Sequence, residues 1–291
     1  MAFENPRSSH YVSQGLDLHY VEWGRQDAPP LILLHGGLDH CRNWDWVAAG
    51  LCDHWRVIAP DLRGHGDSAH APGRYAMECW VHDLAELVRQ LDLAPLPIVA
   101  HSLGGNIALR YAGLYPERVS RLVAIEGLGP APAIRAEREA VPVDERLRRW
   151  MDRWRVAEAR VPRRYASFED ALARMAAENP HLSPERARHL TRHGTRANAD
   201  GSWSWKFDNM IRVEQPIDLT AAELAVLWGR ISCPTLLVYG ADSWASNPSE
   251  DGRLQHFRNA RVSLYENAGH WVHHDRCDAF VAELRMFLEN E

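Results

Sequence analysis

Residues 98–112 read Ile-Val-Ala-His-Ser-Leu-Gly-Gly-Asn-Ile-Ala-Leu-Arg-Tyr-Ala, and the way this stretch folds decides how the rest is read. Three apolar residues run into His101-Ser102-Leu103-Gly104-Gly105, after which the pattern turns helical. A strand that turns sharply into a helix holds one hydroxyl proud of a sheet edge, provided its neighbours carry almost no side chain to clash. Ser102 is that hydroxyl, and Ala100 stands where glycine is more usual. An ordinary serine in a glycine-bearing loop has the same local pattern, so the surrounding chain must decide.

Outward from this stretch, short apolar runs alternate with helical patterns. Residues 31–34 form a continuous apolar run stopped by His35-Gly36-Gly37, as expected of a strand buried on both faces. Residues 56–59 repeat the form and enter the glycine-punctuated loop Pro60-Asp61-Leu62-Arg63-Gly64-His65-Gly66-Asp67-Ser68. Trp80, Leu84, Leu87, Val88 and Leu91 share one helical face. Further strands are expected at residues 16–23 (antiparallel), 122–125, 235–239 and 262–265. Further helices are expected at 105–114, near 249–257 and at the carboxyl end, where Phe280, Leu284, Phe287 and Leu288 align. The alternation predicts an α/β fold with a mainly parallel sheet flanked by helices.

Between residues 129 and 229 the chain is rich in Arg and Ala and helical in pattern, with Leu147, Trp150, Met151 and Trp154 as one face. Ser167-Phe168-Glu169-Asp170 and Ser183-Pro184-Glu185 are helix starts, and a short extended piece is expected near Trp203-Ser204-Trp205-Lys206-Phe207. These roughly 100 residues predict a helical cap at 129–229, inserted into a core of residues 1–128 and 230–291. The aromatics of 203–207 either pack inside that cap or roof an apolar pocket above Ser102. Arg146, Arg148, Arg149, Arg153 and Arg155 read as a solvated helix face.

Composition bounds the function. With 46% apolar and 25% charged residues the chain is ordinary globular protein, and a formal charge of −6 argues against a nucleic-acid partner. No apolar run reaches the length of a membrane span, and Met1-Ala2-Phe3-Glu4-Asn5 lacks the layout of a signal peptide, so a cytoplasmic location is expected. Five scattered cysteines, Cys41, Cys52, Cys79, Cys233 and Cys277, fit reduced thiols. His273-His274-Asp275 resembles a metal cluster by composition alone, since adjacent residues point apart; no metal and no cofactor are expected.

A serine hydroxyl needs a base within hydrogen-bond reach, itself oriented by a third group. The candidate base is His270, in Asn267-Ala268-Gly269-His270-Trp271, where a strand end aims it at the edge that carries functional sites in open α/β sheets. Two glycines after His35 let backbone approach a reacting carbonyl, so the N–H groups of Gly37 and Leu103 are candidate donors to a developing oxyanion.

Taken together, His35-Gly36-Gly37, the loop at 60–68, Ala100-His101-Ser102-Leu103-Gly104-Gly105 and Gly269-His270 resemble the α/β-hydrolase family with a helical cap, over residues from about 16 to 288. The resemblance implies an eight-stranded sheet and a Ser, acid, His chain order. In the commonest family arrangement the acid lies three residues after the glycine ending the strand at 235–239. Counted from Gly240 that position is Ser243, with Asp242 one residue early and Trp244 one late. Relatives similar to haloalkane dehalogenases carry the acid at the end of the preceding strand, which here is Glu126, 24 positions after Ser102. Glu126 is the preferred acid and Asp242 the alternative.

The expected activity is that of a serine hydrolase of the esterase type, cleaving a small-molecule carboxylic ester, thioester or related acyl compound through an acyl-enzyme. A serine nucleophile argues against the dehalogenase and epoxide-hydrolase chemistry that begins with Asp in similar relatives. Carbon–carbon bond hydrolysis and cofactor-free perhydrolysis would use much the same residues, and a non-catalytic binding protein on the same scaffold is the reading of a different class. A homodimer through the cap is compatible with each.

Overall fold

Where strands are buried on both faces their sequences lose alternation, and the central strands here show it. The computed structural model describes residues 6–289. The opening pentapeptide and the outermost ends of the core assignment, 1–5 and 290–291, lie outside the described residues. The chain begins with β1 (Arg7–Ser13), β2 (Leu16–Trp23), β3 (Pro30–Leu34), α1 (Asp45–Ala49), β4 (Arg56–Pro60), α2 (Met77–Gln90), β5 (Leu96–His101), α3 (Leu103–Leu114) and β6 (Val119–Ile125). There follow α4 (Pro132–Ala140), α5 (Val143–Glu158), α6 (Phe168–Glu178), α7 (Pro184–Gly194), a small pair β7 (Thr195–Ala197) and β8 (Trp203–Trp205), and α8 (Ala221–Arg230). The sheet resumes with β9 (Thr235–Gly240) and β10 (Ala260–Tyr265), and the chain closes with α9 (Val272–Asp275) and α10 (Cys277–Glu289).

Eight strands form one sheet in the order β1-β2-β4-β3-β5-β6-β9-β10, antiparallel at β1-β2 and β2-β4 and parallel elsewhere. Successive residues of the central strands feed opposite cores. Ile32, Leu34, Ile98 and Ala100 pack on the face covered by α2, α3 and α8, while Leu31, Leu33, Val99 and Val123 pack on the face covered by α1 and α10.

Local expectations are corrected in three places. No helix forms across residues 249–257: Gly252 takes a left-handed φ of +85° and only the short 3-10 turn Arg253–His256 follows. Strands β1 and β7 were not anticipated, since Arg7–Ser13 is mostly polar and exposed and Thr195–Ala197 spans three residues. Met151 of α5 faces solvent, whereas Trp150 and Trp154 turn toward the core with ring centroids 5.6 Å apart.

The stretch between β6 and β9 holds five helices. α6 starts with a reciprocal capping box between Ser167 and Asp170, and α7 with Ser183 accepting from the Arg186 N–H ahead of Pro184. α4 and α5 bury no residue completely; α4 packs on α8, and α5 on the 3-10 turn Asn209–Arg212. α8 instead packs so tightly on α3 that a Cβ on Gly113 would stand 2.5 Å from the Leu227 carbonyl oxygen. No helix among the described residues is long and apolar enough to cross a membrane.

Three buried polar ties hold the loops at the sheet edge. Asp61 accepts from the N–H groups of Cys41 (2.7 Å) and Asp67 (2.9 Å) and from His19 Nδ1 (2.7 Å). Burial alone would raise its pKa, but these bonds and the nearby His35 hold it well below the ordinary carboxylate range. Arg63 makes a two-pronged bond to Asp83 of α2, both contacts 2.6 Å, with both side chains out of solvent. His35 donates from Nδ1 to the Gly36 carbonyl (2.7 Å) and accepts the Leu62 N–H at Nε2 (3.0 Å), joining the loop after β3 to the loop after β4.

Buried neutral imidazoles make the fold acid-sensitive. Burial pushes His35 and His40 down to about 4 and His65 to about 3, from an ordinary 6.5. Below pH 6.5 the unfolded chain takes up protons that the folded chain refuses, so each such histidine removes about 1.4 kcal/mol of stability per pH unit down to about pH 4. Asp39, raised by burial to about 8, acts in the opposite direction but offsets only one of the three. Thermal denaturation should therefore show Tm falling steadily from pH 7 to pH 5, and a flat profile there would contradict this assignment.

Candidate active site

The carboxyl ends of β3, β5, β6 and β9 meet on one edge of the sheet, where open α/β folds place their sites. At the end of β5 the chain turns through Ser102 at φ +50° and ψ −113°, a left-handed conformation unfavourable for any residue with a side chain. Its N–H donates to the Ile125 carbonyl on β6 (2.8 Å) and its carbonyl accepts the Asn106 N–H (3.0 Å), which holds the turn. A Cβ on Gly104 would sit 2.5 Å from the His35 carbonyl oxygen, and one on Gly105 2.6 Å from Gly127 Cα. These two glycines let α3 press against β3 and the end of β6. Ala100 is wholly buried in β5, so the turn forms with a methyl group at that position.

Gly37 lies beside Leu103, since a Cβ at position 37 would fall 3.9 Å from Leu103 Cδ2. Leu103 opens α3, and the first N–H groups of a helix have no partner within it. The two candidate oxyanion donors thus belong to adjoining pieces of backbone.

His270 follows β10 on the loop leading into α9, and its Nδ1 hydrogen-bonds to Glu126 Oε2. A carboxylate only accepts, so Nδ1 carries the proton and Nε2 is turned away from Glu126. Glu126 follows β6 at φ +49°, buried, and is held on every side. Its N–H donates to the Val238 carbonyl (2.9 Å), Oε1 accepts the Gly240 N–H (3.0 Å), and Oε2 accepts the Ser243 hydroxyl (2.7 Å). Asp242 is exposed; its backbone N–H donates to the Ala268 carbonyl (3.0 Å), and among the described residues its carboxylate makes no bond to His270. The structure thus brings Glu126 to His270 and leaves Asp242 at the surface. Among the described residues no hydrogen bond joins the Ser102 hydroxyl to His270, a distance that closes in many hydrolytic sites only with substrate bound.

Three supporting residues were not read from the sequence as such. Ser243, in the position where the family usually carries its acid, donates to Glu126, and a hydroxyl there was the available signal. His101 donates from Nε2 to the His270 carbonyl (3.0 Å), with ring centroids 4.7 Å apart. Burial, then the neighbouring His270 and His273, holds its pKa well below the ordinary histidine value. Trp244, 76% exposed, lays its ring 4.8 Å from that of His270.

In His273-His274-Asp275 the two imidazoles are buried side by side, ring centroids 4.5 Å apart, contrary to the expectation that they point apart, while Asp275 accepts the Gly269 N–H (2.8 Å) below His270. Two other groups each gather three residues with ligand-type atoms within 4.8 Å of one another, namely His19, Cys41 and Asp61, and Asp45, His189 and His193. Asp61 already accepts three hydrogen bonds, and Asp45 is clasped by Arg42, so in each the carboxylate is engaged by protein donors.

A cleft of about 850 Å³ opens beside this edge. Gly37, Leu38 and Trp271 form its floor next to the candidate site, and Trp154, Tyr165, Met175, Trp205 and Phe207 enclose it from the stretch between β6 and β9. Trp205 and Phe207 stack 6.2 Å apart in the cleft wall, whereas Trp203 packs edge-on against Phe168.

Comparison with known proteins bears on the fold and the family. A family model described as the alpha/beta hydrolase fold matches residues 29–276. An esterase of Mycobacterium tuberculosis is 31% identical over 277 residues, covering 92% of this chain and 85% of the relative. An sn-1-specific diacylglycerol lipase of Mus musculus is 28% identical over 278 residues, covering 91% and 82%. The solved thioesterase domain from the curacin biosynthetic pathway superposes with a TM-score of 0.83 over 97% of this chain and 100% of that one; at 24% identity this is a likeness of fold.

If Glu126 orients His270, Glu126→Gln should lower kcat for an activated ester by roughly 10³-fold or more, and Asp242→Asn should change it by less than about threefold. Ser243→Ala should produce an intermediate loss in kcat with KM unchanged. The reverse ranking of the two acids in steady-state assays would overturn the assignment.

Proposed function

The chain belongs to the α/β-hydrolase family and is a hydrolase of the esterase type, and we propose that it works through a Ser102, His270, Glu126 triad and an acyl-enzyme. The observation that carries this reading is the hydrogen bond from His270 Nδ1 to the Glu126 carboxylate, which fixes the tautomer a general base needs at Nε2.

In the proposed cycle, Ser102 Oγ attacks the acyl carbonyl as His270 Nε2 takes its proton. The Glu126 carboxylate stabilises the imidazolium so formed, and the same proton passes to the departing alcohol or thiol. The N–H groups of Gly37 and Leu103 receive the negative charge on the carbonyl oxygen, each donor stabilising the transition state by about 3 kcal/mol. Water, deprotonated in turn by His270, then cleaves the Ser102 ester and releases the acid. The left-handed backbone of Ser102 supports the role of nucleophile, because it lifts the hydroxyl off the sheet and leaves α3 to begin at once with an unpaired N–H.

Residues 129–229 act in this proposal as the cap that roofs the cleft. Support comes from the cleft itself, whose aromatic walls come from that stretch and whose floor comes from the loops after β3 and β10. Such a roof excludes water from the acyl group and selects its shape.

A fluorophosphonate probe tests the nucleophile directly. Folded protein should be modified once, at Ser102, and Ser102→Ala should abolish both modification and ester turnover, the latter by at least about a thousandfold. Undiminished labelling of Ser102→Ala would rule the assignment out.

A further inference from the structure

We propose that the cleft accepts acyl substrates carrying an anionic group, phosphate or carboxylate, at a distance from the scissile carbonyl, and that Arg160, Arg163, Arg196 and Arg212 receive it. This deepens the hydrolase reading above and rests on it.

These arginines reach the cleft from separate elements. Arg160 and Arg163 lie on the segment after α5, Arg196 on β7, and Arg212 at the end of the 3-10 turn Asn209–Arg212. Separate elements converging with one charge type differ from the run on α5. There, Arg148, Arg149 and Arg155 each pair with an acid three or four residues away and face solvent. In the cleft, by contrast, none of the four arginines has an ion-pair partner among the described residues.

The carboxylates lining the cleft offset only part of this charge. Glu178 is paired with Arg174. Asp208 accepts the Tyr75 hydroxyl (2.7 Å) and the Met210 N–H (2.9 Å), neutral donors that leave its charge in place, and Glu158 is the third carboxylate of the lining. Five guanidinium groups, Arg174 included, thus line the cleft with three carboxylates, a local excess of positive charge in a protein whose formal charge is −6. Arg212 lies over the Phe207 ring, 5.5 Å from its centroid. Partial withdrawal from water, and then repulsion by Arg160, lower its pKa against a smaller opposing attraction from Glu178. Arg160, Arg163, Arg196 and Arg212 are all exposed at the rim of the cleft, where Arg160 and Arg212 repel one another, and guanidinium forks match phosphate and carboxylate oxygens two at a time.

The cleft is therefore divided. Its aromatic inner wall, with Trp205 and Phe207, adjoins Gly37 and Leu38 beside the nucleophile and suits an acyl chain, while its mouth is cationic. The anion is carried either by the leaving group, as in coenzyme A thioesters, or by the far end of the acyl chain, as in half-esters of dicarboxylic acids.

Two matched pairs distinguish these sources. Hexanoyl-coenzyme A is compared with the hexanoyl thioester of N-acetylcysteamine, and the p-nitrophenyl half-ester of adipic acid with p-nitrophenyl hexanoate. The wild type should favour the charged member of at least one pair in kcat/KM by about tenfold or more at low ionic strength, and added salt should erode the preference. Arg160→Gln combined with Arg212→Gln should abolish that preference while leaving the neutral substrates at wild-type rates. Tryptophan-fluorescence titration of Ser102→Ala protein with coenzyme A and with adipate should show salt-sensitive binding that the two arginine substitutions weaken. Equal turnover within both pairs, or a preference that survives the double substitution, would overturn the proposal. Salt-sensitive binding without turnover of any of the four substrates would support the anion subsite and sink the hydrolase reading instead.

Discussion

The carboxylate of Glu126 is the point on which the sheet edge depends. It sits just after β6 in a left-handed backbone conformation and receives donors from three other places, the end of β9 at Gly240, the following loop at Ser243, and His270 beyond β10. Such strain costs on the order of 1–3 kcal/mol, and a hydrogen bond to a charged group returns about as much. Three of them make the conformation worth holding. A buried carboxylate that lost one donor would pull at three segments together, so its geometry joins packing and proposed catalysis.

The same logic extends one layer down. His101, neutral because it is buried, donates to the backbone of His270, and Asp275 accepts from Gly269 on the preceding residue. The loop bearing His270 is thus fixed by its main chain as well as by Glu126. On the other side, His35 links the loop after β3 to the loop at 60–68, while Asp61 and Arg63 fasten that loop to β2 and α2. The motif residues of this chain are in this sense mostly structural. They build a rigid rim around one serine whose backbone is forced out of the sheet.

Most of the fold was legible because it rests on strong local signals. Continuous apolar runs ending in glycine or histidine mark β3 and β5, and the glycine pair at 104–105 marks a helix that must approach two strands closely. Legibility failed where stability comes from partners far along the chain. β1 is held by its pairing with β2 and shows little apolar pattern of its own, and residues 249–257 have helix-forming composition broken by a left-handed Gly252. At the site, Ser102, His270 and the Gly37 backbone could be named from strand ends alone. The choice between Glu126 and Asp242 could not, because it turns on side-chain direction across β6 and β9, and the role of Ser243 follows only from that arrangement. The cleft was least readable, as its arginines lie up to 52 positions apart and meet only in space.

The central claim, that Glu126 and not Asp242 holds the imidazole, is tested most directly by proton NMR of His270. A proton shared between Nδ1 and a buried carboxylate resonates far downfield of ordinary imidazole N–H signals. That resonance should be present in the wild type and in Asp242→Asn, and absent from Glu126→Gln and from His270→Ala. A downfield His270 signal that persists in Glu126→Gln and disappears in Asp242→Asn would contradict the claim.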